Sequence, residues 1–442
     1  MNKASDQREK KLLLWGVESA GEGMLATISN TYLAIFMTDV AMIPLGMTSA
    51  VMLIMSISDW IFATLAGAAI SMIPAGRWGR LRSYLIYCPV FAAVFYVVHF
   101  VSVPNAPSLS AAIITAGFVL AKIPYNLVYV SNVSLINVIA KDQLAKNRLS
   151  SQRMICSNLG RMLANSLVPV LVILLAGRLG ERAVYPAVMA GAGLFYILTN
   201  LVHFSLSRGY ESDSTSGEET AVKGETLSLR SVLEVLFTNG RVFVTILIDL
   251  TSNVTALVLP PLAAYYYKYV AEAPEYVAVH MMLTGLAAVG GALFVRAFSS
   301  QIAHPRKALL MIYPVIALSL ILTKFVSGSV ILFMACNVIV HGLTGTTQSF
   351  ELSLYMDDVV YVRNRTGKDA NALIMGIGGV TVKIANIIKS VAIPLSLSIA
   401  GYVPGEVSET VKNSIVNTYS LIPAVFPLLG FLMLYFRKNC ED

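Results

Sequence analysis

A few ionisable side chains stand inside long apolar stretches, where an unpartnered charge is costly and is retained when it binds something or pairs with something. Glu18 and Glu22 lie four residues apart and so share one helical face, which Ser29 and Tyr32 extend. Glu22 on that face lines a cavity; Glu18 either joins it or lies shallow enough to meet interfacial water. Asp59 is the only acid of the next apolar stretch, and an isolated carboxylate there must take up a proton or find a cation. Lys122, Tyr125, Asn126, Tyr129 and Asn132 recur at spacings of three and four, a polar stripe on an otherwise apolar helix. Such a stripe faces a polar path or another helix, not lipid.

Similar groups recur later in the chain. His341, Thr344, Gln348, Glu351 and Tyr355 form a second stripe, in which Gln348 is the stronger candidate because Glu351 falls toward a solvated end. Asp249, Ser252 and Asn253 precede Pro260 and Pro261, which should bend or break their helix. Lys383 sits near mid-span with Asn386 on the same side, whereas Lys389 points elsewhere and snorkels outward. Arg153 lies near a helix end, where it can hold a gate or a solute. His99 and His203 read as packing or interfacial residues. Neutral hydrogen-bonding groups with a few fixed charges suit the binding of a small polar solute. No GxSxG, P-loop, HExxH or EF-hand pattern is present, so no enzyme chemistry is expected.

The elements that must carry these residues follow from composition. Of 442 residues, 56% are hydrophobic and 13% charged, where soluble domains carry about 25% charge. Roughly twenty apolar residues span a bilayer as a helix. Twelve such stretches occur, near 12–38, 45–72, 83–103, 109–137, 151–176 and 184–206, then near 234–267, 276–299, 307–325, 329–355, 370–399 and 413–436. Between the two sets of six, the polar run from Arg208 to Arg230 reads as a flexible linker. The domains expected are therefore a six-helix bundle at 1–207, a linker at 208–230 and a second bundle at 231–442. Lysine and arginine crowd alternate loops, as in Arg77, Arg80 and Arg82 or Arg363, Arg365 and Lys368. The opposite loops hold only Arg178, Arg182, Lys268, Lys324 and Lys412. This bias places both termini in the cytoplasm. The net charge of +7 is scattered in twos and threes, which argues against nucleic acid as a partner. The cysteines Cys88, Cys156, Cys336 and Cys440 have no metal or CxxC spacing, and neither metal nor cofactor is expected.

Across nearly its whole length the chain resembles the glycoside–pentoside–hexuronide cation symporters, the melibiose permease group of the major facilitator superfamily. The resemblance rests on YLAIFMTDVAMIPLG (Tyr32 to Gly46), RWGRLRSYL (Arg77 to Leu85), IPY (Ile123 to Tyr125) and RLSSQRM (Arg148 to Met154). It continues in YYYKYV (Tyr265 to Val270), TGK (Thr366 to Lys368), a lysine at Lys383 and GYVPG (Gly401 to Gly405). It implies an all-α major-facilitator fold of two six-helix bundles and alternating-access transport of sugars, glycosides or uronides. It also implies two acids one turn apart on helix 2, and one on helix 4, that hold a coupling cation. Here SDWIFATLAG (Ser58 to Gly67) keeps the first acid as Asp59, but Ala63 replaces the second and Lys122 the helix-4 acid. The helix-1 acid that contacts sugar falls at Gly23, beside Glu22.

If Lys122 reaches Asp59, its ammonium takes the place of the cation, and sodium is not needed; the alternative is that Lys122 points into a vestibule and touches nothing. The expected function is secondary transport of a small organic solute, with Lys122 and Lys383 tilting the class toward an anion and a proton as the coupling ion if one is used. Expected solute-binding residues are Glu22, Lys122, Asn126, Tyr129, Arg153, Asp249, Gln348 and Lys383, with Asp59 and Lys122 at the coupling site. Alternatives are a lysolipid or other amphiphile as cargo, or a sensor that keeps the fold without transport. The protein is read as a monomer in membrane lipid of the bacterial inner membrane.

Overall fold

The computed structural model describes residues 14–72, 77–139, 143–210, 240–298, 305–366, 371–399, 401–402 and 408–437. The linker expected at 208–230 lies outside these from 211 on, as do parts of TGK and GYVPG. Twelve α-helices carry the described residues: α1 (Val17–Ile35), α2 (Leu45–Met72), α3 (Tyr84–Val98), α4 (Pro107–Ile139), α5 (Gln143–Leu179) and α6 (Glu181–Leu206), then α7 (Gly240–Tyr265), α8 (Tyr276–Phe298), α9 (Pro305–Phe325), α10 (Val330–Thr366), α11 (Asn371–Ile399) and α12 (Glu409–Arg437). Ten are long and apolar enough to cross a membrane; α3 is apolar but shorter, and α1 carries Glu18 and Glu22. Helix is the form such segments must take, because lipid offers no partner to backbone N–H and C=O groups.

Pro260 and Pro261 do not break their helix: α7 runs through both. In a membrane bundle the freed carbonyls are absorbed by neighbouring helices and hydroxyl side chains, so proline loses much of its power to interrupt.

The chain forms two compact units, Met1–Lys223 and Gly224–Asp442. In the first, α1 packs on α5 and α6, α3 on α4 and α6, and α2 on α4. In the second, α7 packs on α11 and α12, α9 on α10 and α12, and α8 on α10. Each pairing recurs six helices later, so the two units repeat one design.

The repeat extends to an irregular detail. Both α1 and α7 end in a five-residue π-helical turn, Phe36–Val40 and Tyr266–Val270. In each, an alanine N–H reaches back five residues: Ala41 to Phe36 O at 2.9 Å and Ala271 to Tyr266 O at 3.0 Å. The next residues, Met42 and Glu272, adopt left-handed backbone with φ of 54° and 52°. The two turns fall in FMTDV and YYKYV, within the runs that carry the family resemblance.

Close backbone approach sets how α1 meets α5. A Cβ on Gly160 would lie 2.0 Å from Ala20 O, and one on Gly16, whose φ is 89°, would lie 2.6 Å from the Arg153 Cα. Small residues let membrane helices touch at the backbone. Gly160→Val should therefore destabilise the protein by roughly 1–3 kcal/mol or more. Gly177→Ala on the same helix, with nothing within 4 Å, should be neutral or mildly stabilising. Thermal unfolding of the two variants in detergent checks the contrast; equal melting temperatures would refute it.

Candidate functional site

In the first unit the glycine contacts bring the start of α5 against the start of α1, and the charges follow. Arg153 Nη2 donates to Glu22 Oε2 at 2.7 Å, and its Nε lies 3.7 Å from Glu18 Oε1. Asn132 Nδ2 of α4 donates to Glu22 Oε1 at 3.1 Å. Ser19 Oγ reaches both carboxylates, at 3.2 Å to Glu18 and 3.4 Å to Glu22. The Tyr129 ring, 43% exposed, lies under the Arg153 guanidinium at 4.6 Å. All of this is buried charge: Glu22 is 4% exposed and Arg153 9%.

Two readings of this region change. Glu18 does not meet interfacial water; it is 0% exposed, with Oε2 2.9 Å from Nδ1 of His203 on α6. His203 is therefore not a plain packing residue: its ring faces the Glu18 carboxylate, with the Trp15 ring at 4.2 Å from its own. A single histidine near the end of an apolar helix carries no periodic signal. Only its position across from Glu18 reveals the pairing.

Further along α4 the polar stripe turns to α2. Lys122 Nζ lies 3.0 Å from Asp59 Oδ1, both largely buried, and packs over the rings of Phe118 at 5.1 Å and Tyr125 at 4.6 Å. It does not point into an empty vestibule. Asn126 spends its amide on its own helix, donating to Lys122 O at 2.9 Å. The ammonium occupies a carboxylate-and-aromatic pocket of the kind that suits a monovalent cation. Asp59 therefore already has a fixed, covalently tethered counter-ion. His99 also has a structural place, between Ser29 Oγ at 3.1 Å and Ile114 O at 2.9 Å.

In the second unit Asp249 of α7 gathers three donors: Tyr355 OH of α10 at 2.9 Å, Asn253 Nδ2 at 2.8 Å, and the Thr381 hydroxyl of α11. On α10 the exposures differ from those expected. Glu351, expected to be solvated, is buried and accepts the Tyr313 hydroxyl at 2.5 Å, whereas Gln348 is exposed. The buried hydroxyl next to it, Thr347, pairs instead with Ser252 at 3.3 Å. The reason is the helix face: Glu351 points to α9, while Gln348 leaves that contact. Arg241 of α7 also pairs with Asp358 of α10 at 2.9 Å, a link that lone charges on two helices did not announce. Lys383 is half-buried on α11. Lys389 does not snorkel: it is 3% exposed. Among the described residues, no three histidine, cysteine, aspartate or glutamate side chains group as metal ligands.

With this arrangement in view, the family can be stated. The sequence matches the family described as MFS/sugar transport protein over residues 14–438. The chain belongs to that family. It is thus a multi-pass membrane protein and a secondary transporter of the major facilitator superfamily, and the resemblance to glycoside–pentoside–hexuronide symporters stands within that family. It is 24% identical to the "Uncharacterized symporter YjmB" of Bacillus subtilis (strain 168), over 99% of this chain and 95% of that one. It is 21% identical to YagG of Escherichia coli (strain K12), a candidate glycoside/cation symporter, over 96% and 90% of the two chains. Its fold is similar to that of a bacterial homolog of the human lysosomal transporter Spinster in an inward-facing, unoccupied conformation. That match has a TM-score of 0.68 at 13% identity and covers 97% of this chain and 98% of that one.

Proposed function

We propose that this transporter moves a sugar-, glycoside- or uronide-like solute by alternating access without sodium, and that Lys122 stands in for the coupling cation. The carrying observation is the 3.0 Å contact between Lys122 and Asp59. Where the family resemblance implies three acids, positions 59, 63 and 122 hold an acid, an alanine and an ammonium, with no net charge. A neutral pair offers a free sodium ion too little attraction to offset its dehydration. The two relatives, one named a symporter and the other a candidate glycoside/cation symporter, support the solute class.

The pairing also alters the case for an anionic solute. The charge of Lys122 is taken up by Asp59 and that of Arg153 by Glu22. Lys383, half-buried near the middle of α11, is the residue we assign to a solute carboxylate, on the family resemblance. In this reading the halves 1–207 and 231–442 move about the linker 208–230. Both termini face the cytoplasm of a bacterial cell.

Uptake into proteoliposomes with sodium replaced by choline at constant pH tests the proposal. The rate should be unchanged; a strict sodium requirement would mean that backbone and hydroxyl oxygens rebuild an ion site, and would sink it. Lys383→Ala should lower uronide uptake about tenfold or more, the worth of one charge-assisted contact. Its melting temperature should stay near that of the parent. Unchanged uptake kinetics in this variant would remove Lys383 from the site.

A further inference from the structure

The structure assigns a proton-binding site to the Glu18–His203 pair, where α1 meets α6, apart from Asp59 and Lys122. The site does not rest on the sodium-independent reading and goes beyond it, because it says where an exchangeable proton is held.

The case begins with charge. Glu18, Glu22 and Arg153 are all buried and joined by contacts of 2.7 and 3.7 Å, with Ser19 bridging the carboxylates. Two carboxylates and one guanidinium leave one negative charge, and a neutral His203 leaves it uncompensated. An unbalanced charge inside an apolar bundle is expensive, and the usual remedy is to take up a proton. The group placed to receive it is His203, 0% exposed, with Nδ1 2.9 Å from Glu18 Oε2. Tyr125 and Tyr129 of α4, Cys156 of α5 and Tyr196 of α6 also face the cluster and are neutral when protonated. Two cations lie nearby without a contact to either carboxylate: Arg82 donates to Phe204 O and Ser207 on the end of α6, and Arg161 of α5 packs beside Gly23 of α1. Among the described residues no further lysine or arginine pairs with either carboxylate.

The proton changes how the helices are held. With His203 neutral, Arg153 serves both carboxylates and ties α5 to α1. With His203 protonated, the cluster resolves into two neutral pairs, Glu18 with His203 and Glu22 with Arg153. The α1–α6 contact is then strengthened, and Arg153 is released from half its load. Proton binding is shared by the pair as a unit, imidazole and carboxylate titrating together.

The Trp15 ring on His203, at 4.2 Å, supplies a reporter that needs neither solute nor transport. Of the three tryptophans, Trp60 and Trp78 can be replaced by Phe, leaving Trp15 as the sole emitter. In purified protein in detergent, Trp15 emission should fall reversibly on acidification, as the imidazole beneath it gains charge. Adding H203Q should abolish the titration. Adding E18Q should displace its midpoint by about one pH unit or more. A flat emission curve in the single-tryptophan parent would overturn the site, as would a titration that survives H203Q. E18Q keeps the test open should H203Q fail to fold, because an unmoved midpoint in E18Q also refutes the pairing.

Discussion

Replacing Arg153 by Met is expected to cost about 3–5 kcal/mol of stability and to abolish uptake. Methionine keeps most of the apolar stem, so the loss isolates the guanidinium. That guanidinium lies 2.7 Å from Glu22 and 3.7 Å from Glu18, carboxylates one helical turn apart in a buried site. Without it, two like charges face each other with no arginine between them, and Ser19, Asn132 and His203 are left to serve them. The penalty arises from the charges left behind more than from the bond lost. Adding Glu22→Gln to Arg153→Met should accordingly recover about half of the loss, a non-additivity expected of side chains in one network. Unfolding of the single and double variants in detergent measures both quantities. A single variant within about 1 kcal/mol of the parent would show that the network is solvated and weak.

The second expected result is a gain of ion dependence. The double substitution Ala63→Asp with Lys122→Asp places acids at all three positions where the family resemblance implies them. Position 63 lies one turn from Asp59 on α2, so its carboxylate faces the same way. The local formal charge changes from zero to three negative charges, which cannot remain buried together without a cation or protons. Sodium should then bind and raise the melting temperature of the variant, by an amount that grows with the logarithm of its concentration. Potassium or choline should do less, and the parent should not respond to sodium. Uptake, where it survives, should require sodium. A variant whose melting temperature ignores sodium would show that helices 2 and 4 do not hold the ion site. Lys122→Ala alone should lower uptake roughly tenfold or more, since Asp59 then loses the ammonium that balances it.

Packing of the helices gives the expected site residues particular partners. Glu22, Lys122 and Arg153 each meet an opposite charge within their own unit, and Asp249 meets three donors. Asn126 bonds to its own helix, and Gln348 yields the interior of α10 to Glu351. The second case turns on a rotation of one helical step. A period of 3.6 residues places a residue on a face only to within the width of its neighbours. Thus Gln348 and Glu351, three apart, are one stripe in sequence but differ in exposure in the structure.

Sequence alone determined the helices, because the bilayer sets their length and hydropathy marks their place. The stretches read near 45–72, 184–206 and 370–399 meet α2, α6 and α11 within a few residues. It also determined that charges at membrane depth need partners, since no solvent is there to take their role. Which partner each one finds was a tertiary matter. Glu22 and Arg153 are 131 positions apart, and Glu18 and His203 meet only because α1 lies against both α5 and α6. That placement depends on backbone contacts such as Gly160 on Ala20, whose geometry no pattern of residue types encodes. The π turns closing α1 and α7 are likewise absent from hydropathy, because adding one residue to a turn changes the hydrogen-bond ring and not the composition.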